Sequence, residues 1–169
     1  MRKKEKAISR IFVRYIILVF FGIFLSLFYR LFSPLTTTLS ALLLDIFYDV
    51  SATGNIILLS GVKIELINAC IAGSAYYLLL ILNLTTSMKA KPRAYSLVFS
   101  FLLLLFLNVL RIFILSVLYV TNFAFFDFTH KFFWYVLSIV FVVGIWFLTI
   151  WLFKIKNILV YSDIKKISC

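Results

Sequence analysis

Charged residues are scarce in this 169-residue chain, and acidic residues are the scarcest of them. Charged residues make up 14% of the chain, whereas 64% of its residues are hydrophobic and 19% are aromatic. A soluble domain is about one quarter charged and roughly half apolar, and a chain this short has too little interior to bury so many apolar side chains. Disordered chains are polar and poor in aromatic residues. The composition therefore excludes both classes and predicts a membrane protein.

Cysteine and histidine are also rare, with two cysteines and one histidine in the chain. Cys70 and Cys169 stand too far apart to suggest a disulfide framework, and no Cys-x-x-Cys motif or Cys/His cluster predicts a zinc site. The chain also lacks a glycine-rich phosphate loop and a Gly-x-Ser-x-Gly motif. We therefore expect no metal and no cofactor.

The chain does contain several long apolar runs. A membrane span needs about 20 mostly apolar residues, and four stretches qualify, at residues 11–32, 67–84, 95–120 and 132–153. The first run follows a basic start like that of a signal peptide, but it is too long and lacks a small-residue cleavage site, so we interpret it as an uncleaved anchor. The sequence thus predicts an all-α polytopic membrane protein, with residues 1–169 as a single membrane domain.

Basic residues are distributed unevenly between the two sides that these spans create. The tails at residues 1–10 and 154–169, with Arg14 and the linker after the second span, hold 13 basic residues against two acids, Glu5 and Asp163. The opposite side has four acids and four basic residues, which are Arg30, Lys63, Arg111 and Lys131. Basic segments stay in the cytoplasm, so we expect both tails on the cytoplasmic side of the cell membrane. Orientation then accounts for the net charge of +11 without a nucleic-acid partner.

Residues 33–66 form the predicted extracytoplasmic loop. Ser33 and Pro34 are a favourable N-cap and first-turn proline, and apolar residues recur at helical spacing after them. We expect an amphipathic helix lying on the membrane surface. Residues 55–59 and 62–66 then flank a Ser-Gly pair, which predicts a β-hairpin that leads into the second span.

Polar residues inside the apolar spans are candidates for function, because a membrane protein keeps them only at a cost. Cys70 lies at the outer start of the second span, where Asn68 is placed to cap the helix and free N–H groups favour the thiolate. Arg111 lies inside the third span, where an arginine costs about 2.5–3.5 kcal/mol. Asn108 stands one turn before Arg111, and we expect the two side chains to form a hydrogen bond.

His130 opens the fourth span, and Asp127 is placed to cap that helix or to orient the imidazole. Each residue also has a structural interpretation: Cys70 as a small packing residue, Arg111 as the ion-pair partner of Glu65 or Asp127, and His130 as an ordinary interfacial residue. Together, however, the three residues comprise a nucleophile, its base and a positive partner for an oxyanion. All three are expected at one face of the membrane.

In the order and sidedness of these residues the chain resembles the exosortase/archaeosortase family of membrane cysteine transpeptidases, and most closely its short archaeal members. The matching segments are Asn68-Ala69-Cys70-Ile71-Ala72-Gly73, Asn108-Val109-Leu110-Arg111 and Asp127-Phe128-Thr129-His130. Gly73 stands one residue further from the cysteine than the usual glycine of that family. The resemblance implies that Cys70 is the nucleophile, Arg111 the partner of the oxyanion or substrate carbonyl, and His130 the general base and acid.

The resemblance also implies a class of substrate. By this resemblance, the substrates are surface proteins that end in a short motif, a transmembrane helix and a basic tail. The enzyme cleaves at the motif on the outer membrane face and transfers the protein to a lipid or another envelope acceptor. Two other functions remain open. One is a small transporter or flippase subunit in which Arg111 binds an anionic substrate and Cys70 only packs, and the other is a non-catalytic assembly factor.

Overall fold

The computed structural model describes residues 25–86 and 88–154, together with residues 12, 13, 16, 17, 19, 20 and 22. Within them, four helical segments are long and apolar enough to cross a membrane, so the predicted all-α polytopic membrane fold is confirmed. The helices are α1 (Leu25–Asp45), α2 (Asn68–Ile71), α3 (Gly73–Thr85), α4 (Ala90–Val120), α5 (Phe126–Phe132) and α6 (Ser138–Leu152), with a π-helical turn (Phe133–Leu137) joining the last two. Cys169 and the predicted tails, except Lys154, lie outside the described residues.

The first span differs most from its prediction. Helix α1 continues through Ser33 and Pro34, so the helix end expected at residue 32 and the separate surface helix after it are absent. Proline removes one N–H from the helix, but membrane helices tolerate this where neighbouring helices and hydroxyl side chains compensate. Arg30, expected near the outer end of the first span, therefore lies near the start of α1, which continues to Asp45.

Between Ser33 and Leu42, the buried side of α1 consists of small and polar residues and not of leucines. Small and polar residues face the protein interior, namely Ser33, Thr36, Thr37, Ser40 and Ala41. Leu35, Leu39 and Leu42 are exposed instead. Lipid tails are as apolar as leucine, so small residues at a helix interface let membrane helices approach closely. The leucine stripe thus belongs to the outward side of a membrane-spanning helix.

Helix α4 lies at the centre of the bundle and connects the other spans through polar contacts. Asn83 Nδ2 on α3 donates to Ser96 Oγ at 2.6 Å. One turn later, the Ser100 hydroxyl pairs with that of Thr149 on α6 at 3.0 Å. Buried polar groups need such partners because an unpaired one is costly in an apolar interior. These contacts fix how α3 and α6 are positioned on α4.

Three antiparallel strands connect α1 to α2, in the order β1 (Val50–Thr53), β2 (Ile56–Leu59) and β3 (Val62–Glu65). Strands β2 and β3 are the predicted hairpin. Ser60 and Gly61 both have positive φ, at 49° and 83°, as a type I′ turn requires. The sequence does not predict β1, because Val-Ser-Ala-Thr has too few apolar residues to show an alternating pattern.

The sheet packs on the end of the bundle that holds the candidate site residues. Ile57 and Leu59 are fully buried and share a core with Leu44 of α1 and Ile112 of α4. Ile112 is the neighbour of Arg111 in the sequence. The sheet therefore holds β3 beside the part of α4 that carries the arginine.

Candidate active site

The segment that carries Cys70 is a single helical turn followed by a break. Ala72 separates α2 from α3 and adopts the left-handed conformation, with φ 59° and ψ 33°. This conformation costs a residue other than glycine roughly 1–2 kcal/mol, so contacts around the break must hold it. A Cβ added to Gly73 would stand 2.6 Å from Tyr29 Cε1, so the close packing of α1 on the break requires glycine at this position.

Cys70 lies in the first turn of α2, as expected, but Asn68 does not cap that turn. The N-cap position belongs to Ile67, and no side chain caps the helix. The Cys70 N–H already donates to the Ile67 carbonyl at 2.8 Å. A helix of 4 residues also sums few peptide dipoles. The helix terminus therefore offers the Cys70 thiol little of the stabilisation of a thiolate that the sequence predicts.

Two side chains of α4 bind the main chain beside the break. Asn108 Nδ2 donates to the Cys70 carbonyl at 2.7 Å, and Arg111 Nη2 donates to the Ala69 carbonyl at 3.3 Å. Residues three apart lie on the same face of a helix, so both reach the same segment. The expected hydrogen bond from Asn108 to Arg111 is replaced by this pair of contacts. Asn108 thus positions the segment that carries the thiol and does not support the guanidinium.

Arg111 is held from its other side by Ser138. Arg111 Nη1 donates to Ser138 Oγ at 3.0 Å, and Ser138 Oγ donates to the Phe133 carbonyl at 3.2 Å across the π-helical turn. Such turns are frequent at functional sites. Ser138 is a residue of this site that the sequence does not predict. Its hydroxyl in an otherwise apolar span is nevertheless the same signal that selects the other polar candidates.

The charge of Arg111 is buried without a negative partner in the described part of the chain. The alternative ion pairs with Glu65 or Asp127 are not formed, and the partners of the guanidinium are the neutral oxygens of Ala69 and Ser138. Its side chain is only 8% exposed. A guanidinium has five N–H donors, and these two bonds leave others unused. A buried, unneutralised cation is costly to keep, which makes Arg111 a candidate for function.

His130 lies in the second turn of α5 and is flanked by two aromatic rings. Its ring centroid is 5.7 Å from that of Phe126 and 6.1 Å from that of Trp134, one turn before and one turn after it. Asp127 does not cap this helix, because the N-cap residue is Phe125 and no side chain bonds there. Asp127 is exposed and does not line the site. The aromatic rings, and not a carboxylate, therefore orient the imidazole.

A cavity of about 270 Å³ opens between β3, α2, α4 and α5. Cys70, Arg111 and His130 all line it, although they come from three different helices. Apolar side chains form most of the remaining wall, including Trp134 beside the histidine. Asn108 and Asp127 do not line it. The structure thus places the three candidate site residues around one cavity. Of the two proposed supporting residues, Asn108 contacts the main chain of Cys70, whereas Asp127 lies apart from the site.

Among the residues that the structure describes, no three His, Cys, Asp or Glu side chains are grouped as ligands of a metal ion would be. Comparisons of the chain with protein-family models, with curated proteins and with solved structures find no match. The chemistry of the cavity is therefore inferred from its own residues.

Proposed function

We propose that this protein is a membrane cysteine transpeptidase that cleaves the C-terminal sorting signals of surface proteins and transfers these proteins to an amine of a lipid or another envelope acceptor. The observation that carries the proposal is the single cavity lined by Cys70, Arg111 and His130. A nucleophile, a base and a buried cation are the groups that acyl transfer requires. The resemblance of the three motifs to the exosortase/archaeosortase family supplies the class of substrate.

Each of the three residues has a defined role in the proposed reaction. Cys70 Sγ attacks the carbonyl carbon of the scissile peptide bond while His130 accepts the thiol proton. The carbonyl oxygen gains a negative charge, which binds the unused N–H donors of Arg111. As the intermediate collapses, the C–N bond breaks and His130 returns the proton to the leaving amine. An acceptor amine then attacks the thioester, and His130 transfers the proton of that amine to Cys70 Sγ as the sulfur leaves.

We place the cavity at the outer face of the cell membrane, with both tails in the cytoplasm. The support is the 13 basic residues on the side of the tails, against four on the side of the cavity. An even number of spans keeps the two tails on the same side, and four helices of the described chain are suited to span. This placement gives the thiol access to proteins that have already been exported.

The test uses a co-expressed surface protein that ends in a motif, an apolar helix and a basic tail. Cys70→Ala, Cys70→Ser, Arg111→Ala and His130→Ala are each expected to abolish its processing while the level of the variant stays normal. Double substitutions are expected to equal the single ones, because residues that act as a unit are not additive. Retained processing by the Cys70→Ala variant would contradict the proposal.

The same variants distinguish the alternative in which Arg111 binds an anionic substrate for transport or lipid flipping. The buried and unneutralised guanidinium at the cavity is the observation that favours this alternative. In that case Arg111→Ala loses function and Cys70→Ala keeps it. An assembly factor would tolerate substitution of all three residues.

A further inference from the structure

Strand β3 has a free edge, and this edge borders the cavity. The strand order is β1-β2-β3, so within the sheet β3 pairs only with β2. Lys63, Ile64 and Glu65 all line the cavity. Successive side chains of a strand point to opposite faces of the sheet. A cavity that touches all three residues therefore lies along the edge of the strand and not against one face.

The register identifies the main-chain groups that point to this edge. The Leu66 N–H donates to the Asn55 carbonyl at 2.8 Å, which continues the pairing of β3 with β2. Hydrogen-bonded and non-hydrogen-bonded pairs alternate along an antiparallel ladder, so Ile64 bonds to β2 while Lys63 and Glu65 point their N–H and C=O groups away from it. In the described part of the chain, no group outside the sheet bonds to the main chain of either residue.

We propose that the recognition segment of the substrate binds at this edge as a fourth strand, with its main chain paired to Lys63 and Glu65. This inference rests on the proposed function. Two N–H donors and two carbonyl acceptors, spaced two residues apart, complement an extended peptide, and strand addition to a free edge is a recurring mode of peptide recognition. The chain continues from Glu65 through Leu66 and Ile67 into the turn that carries Cys70, so a peptide on this edge is led to the thiol.

The direction of the added strand follows from the topology. Strand β3 leads directly into α2 and α3, which enter the bundle from the end that holds the sheet. A substrate whose outer part precedes its transmembrane helix enters the membrane in the same direction. The added strand is therefore parallel to β3, and the paired residues precede the scissile bond. They belong to the acyl part that remains on Cys70, so the pairing holds the thioester in the cavity after the leaving segment has departed.

The probe is a reporter protein that carries a randomised segment, an apolar helix long enough to span the membrane and a Lys/Arg tail, selected for cleavage by the wild-type protein. Lys63→Pro and Glu65→Pro each remove one N–H from the free edge. We expect each to slow cleavage of the selected reporter roughly tenfold, the effect of losing one net hydrogen bond. Lys63→Ala removes the side chain and keeps the N–H, so it is expected to cleave faster than Lys63→Pro.

Ala52→Pro is the matched control on the opposite edge of the sheet. The Ser60 N–H donates to the Asp49 carbonyl, and hydrogen-bonded pairs alternate from there along β1 and β2. The N–H of Ala52 therefore points away from β2, to the free edge of β1. Ala52 does not line the cavity, so its substitution is expected to leave cleavage unchanged. The control separates loss of pairing at the cavity from a general effect of proline on the sheet.

Amide hydrogen exchange gives a second measurement that does not depend on how the proline variants fold. With the selected reporter bound to the uncleaving Cys70→Ala protein, the Lys63 and Glu65 amides are expected to become protected and the Ala52 amide to remain unchanged. Wild-type cleavage rates in both proline variants, or unchanged exchange at Lys63 and Glu65, would overturn the strand pairing alone. If no reporter is cleaved in a way that depends on Cys70, the proposed function fails, and the strand pairing fails with it.

Discussion

Arg111 is the single residue whose surroundings most strongly determine what the cavity can do. Its guanidinium bonds at the same time to the Ala69 carbonyl and to Ser138 Oγ. A planar fork of donors can do this and still face the cavity, whereas a lysine ammonium is a point charge without that geometry. The position of the charge therefore depends on the arginine and not only on a positive side chain.

Arg111→Lys is expected to lower cleavage about 100-fold although it keeps the charge, which is the scale of losing one donor to an oxyanion. The measurement is the rate of reporter cleavage normalised to the amount of variant in the membrane. A lysine variant that cleaves at a rate close to the wild type would show that charge alone suffices and would contradict the role given to the guanidinium.

Ser138→Ala tests whether Ser138 positions Arg111. A hydrogen bond to a charged group contributes about 1.5–3 kcal/mol, so the cleavage rate is expected to fall by at least roughly tenfold, with KM changed little. Thr149→Ala is the matched control, because Thr149 lies on the same helix and its hydroxyl pairs with Ser100 away from the cavity. Equal cleavage rates in the two variants would indicate that Ser138 acts only in packing.

At the scale of elements, the break between α2 and α3 directs the cysteine toward the cavity. Glycine adopts the left-handed conformation of Ala72 without steric cost, whereas a β-branched residue is a strong outlier there. Ala72→Gly is therefore expected to keep cleavage and to unfold at a temperature equal to or above that of the wild type. Ala72→Val is expected to be less stable, because the β-branch adds to the cost that Ala72 already carries there, and to cleave more slowly, as measured by thermal unfolding in detergent and by the reporter.

An Ala72→Val protein that unfolds and cleaves like the wild type would show that the break does not depend on the left-handed residue. Gly73→Ala is a second test of the break between α2 and α3. Its added methyl group meets the Tyr29 ring, so it is expected to separate α1 from the break and to lower both stability and cleavage.

At the scale of the whole molecule, the distribution of charge predicts which thiol faces outward. An impermeant thiol reagent added to intact cells is expected to label Cys70, slowly because it is half-buried, and to leave Cys169 unlabelled. Cys169 is expected to react only after the membrane has been opened. Cys70→Ser must remove the first signal. The opposite pattern would invert the topology and place the cavity in the cytoplasm.

The geometry of the whole bundle also limits where a substrate can be cut. Moving the motif along its chain by about two helical turns, roughly 11 Å at 1.5 Å per residue, is expected to stop cleavage. A neutral tail in place of the basic one is expected to reduce cleavage through loss of orientation. A soluble peptide that carries only the motif lacks the high effective concentration that tethering provides. If that peptide is cut as well as the anchored protein, the sorting-signal mechanism is wrong.

The sequence by itself determines the membrane class, the presence of four apolar helices and the β2–β3 hairpin. These features depend on the hydropathy, charge and turn chemistry of neighbouring residues, which are local properties of the chain. The same reasoning selects Cys70, Arg111 and His130, because an intramembrane polar residue is conspicuous wherever its partners lie. What these three residues do stays a prediction.

Only the tertiary structure decides how these parts meet. Helix α1 passes through Pro34 and buries its polar side because of the helices packed against it, and no local pattern encodes those neighbours. The bond from Asn108 to the Cys70 carbonyl, the contact of Arg111 with Ser138 and the absence of an ion pair at Arg111 within the described chain likewise join groups that are distant in sequence. Which of several possible partners a buried polar group takes depends on the distances and directions that the packed bundle imposes.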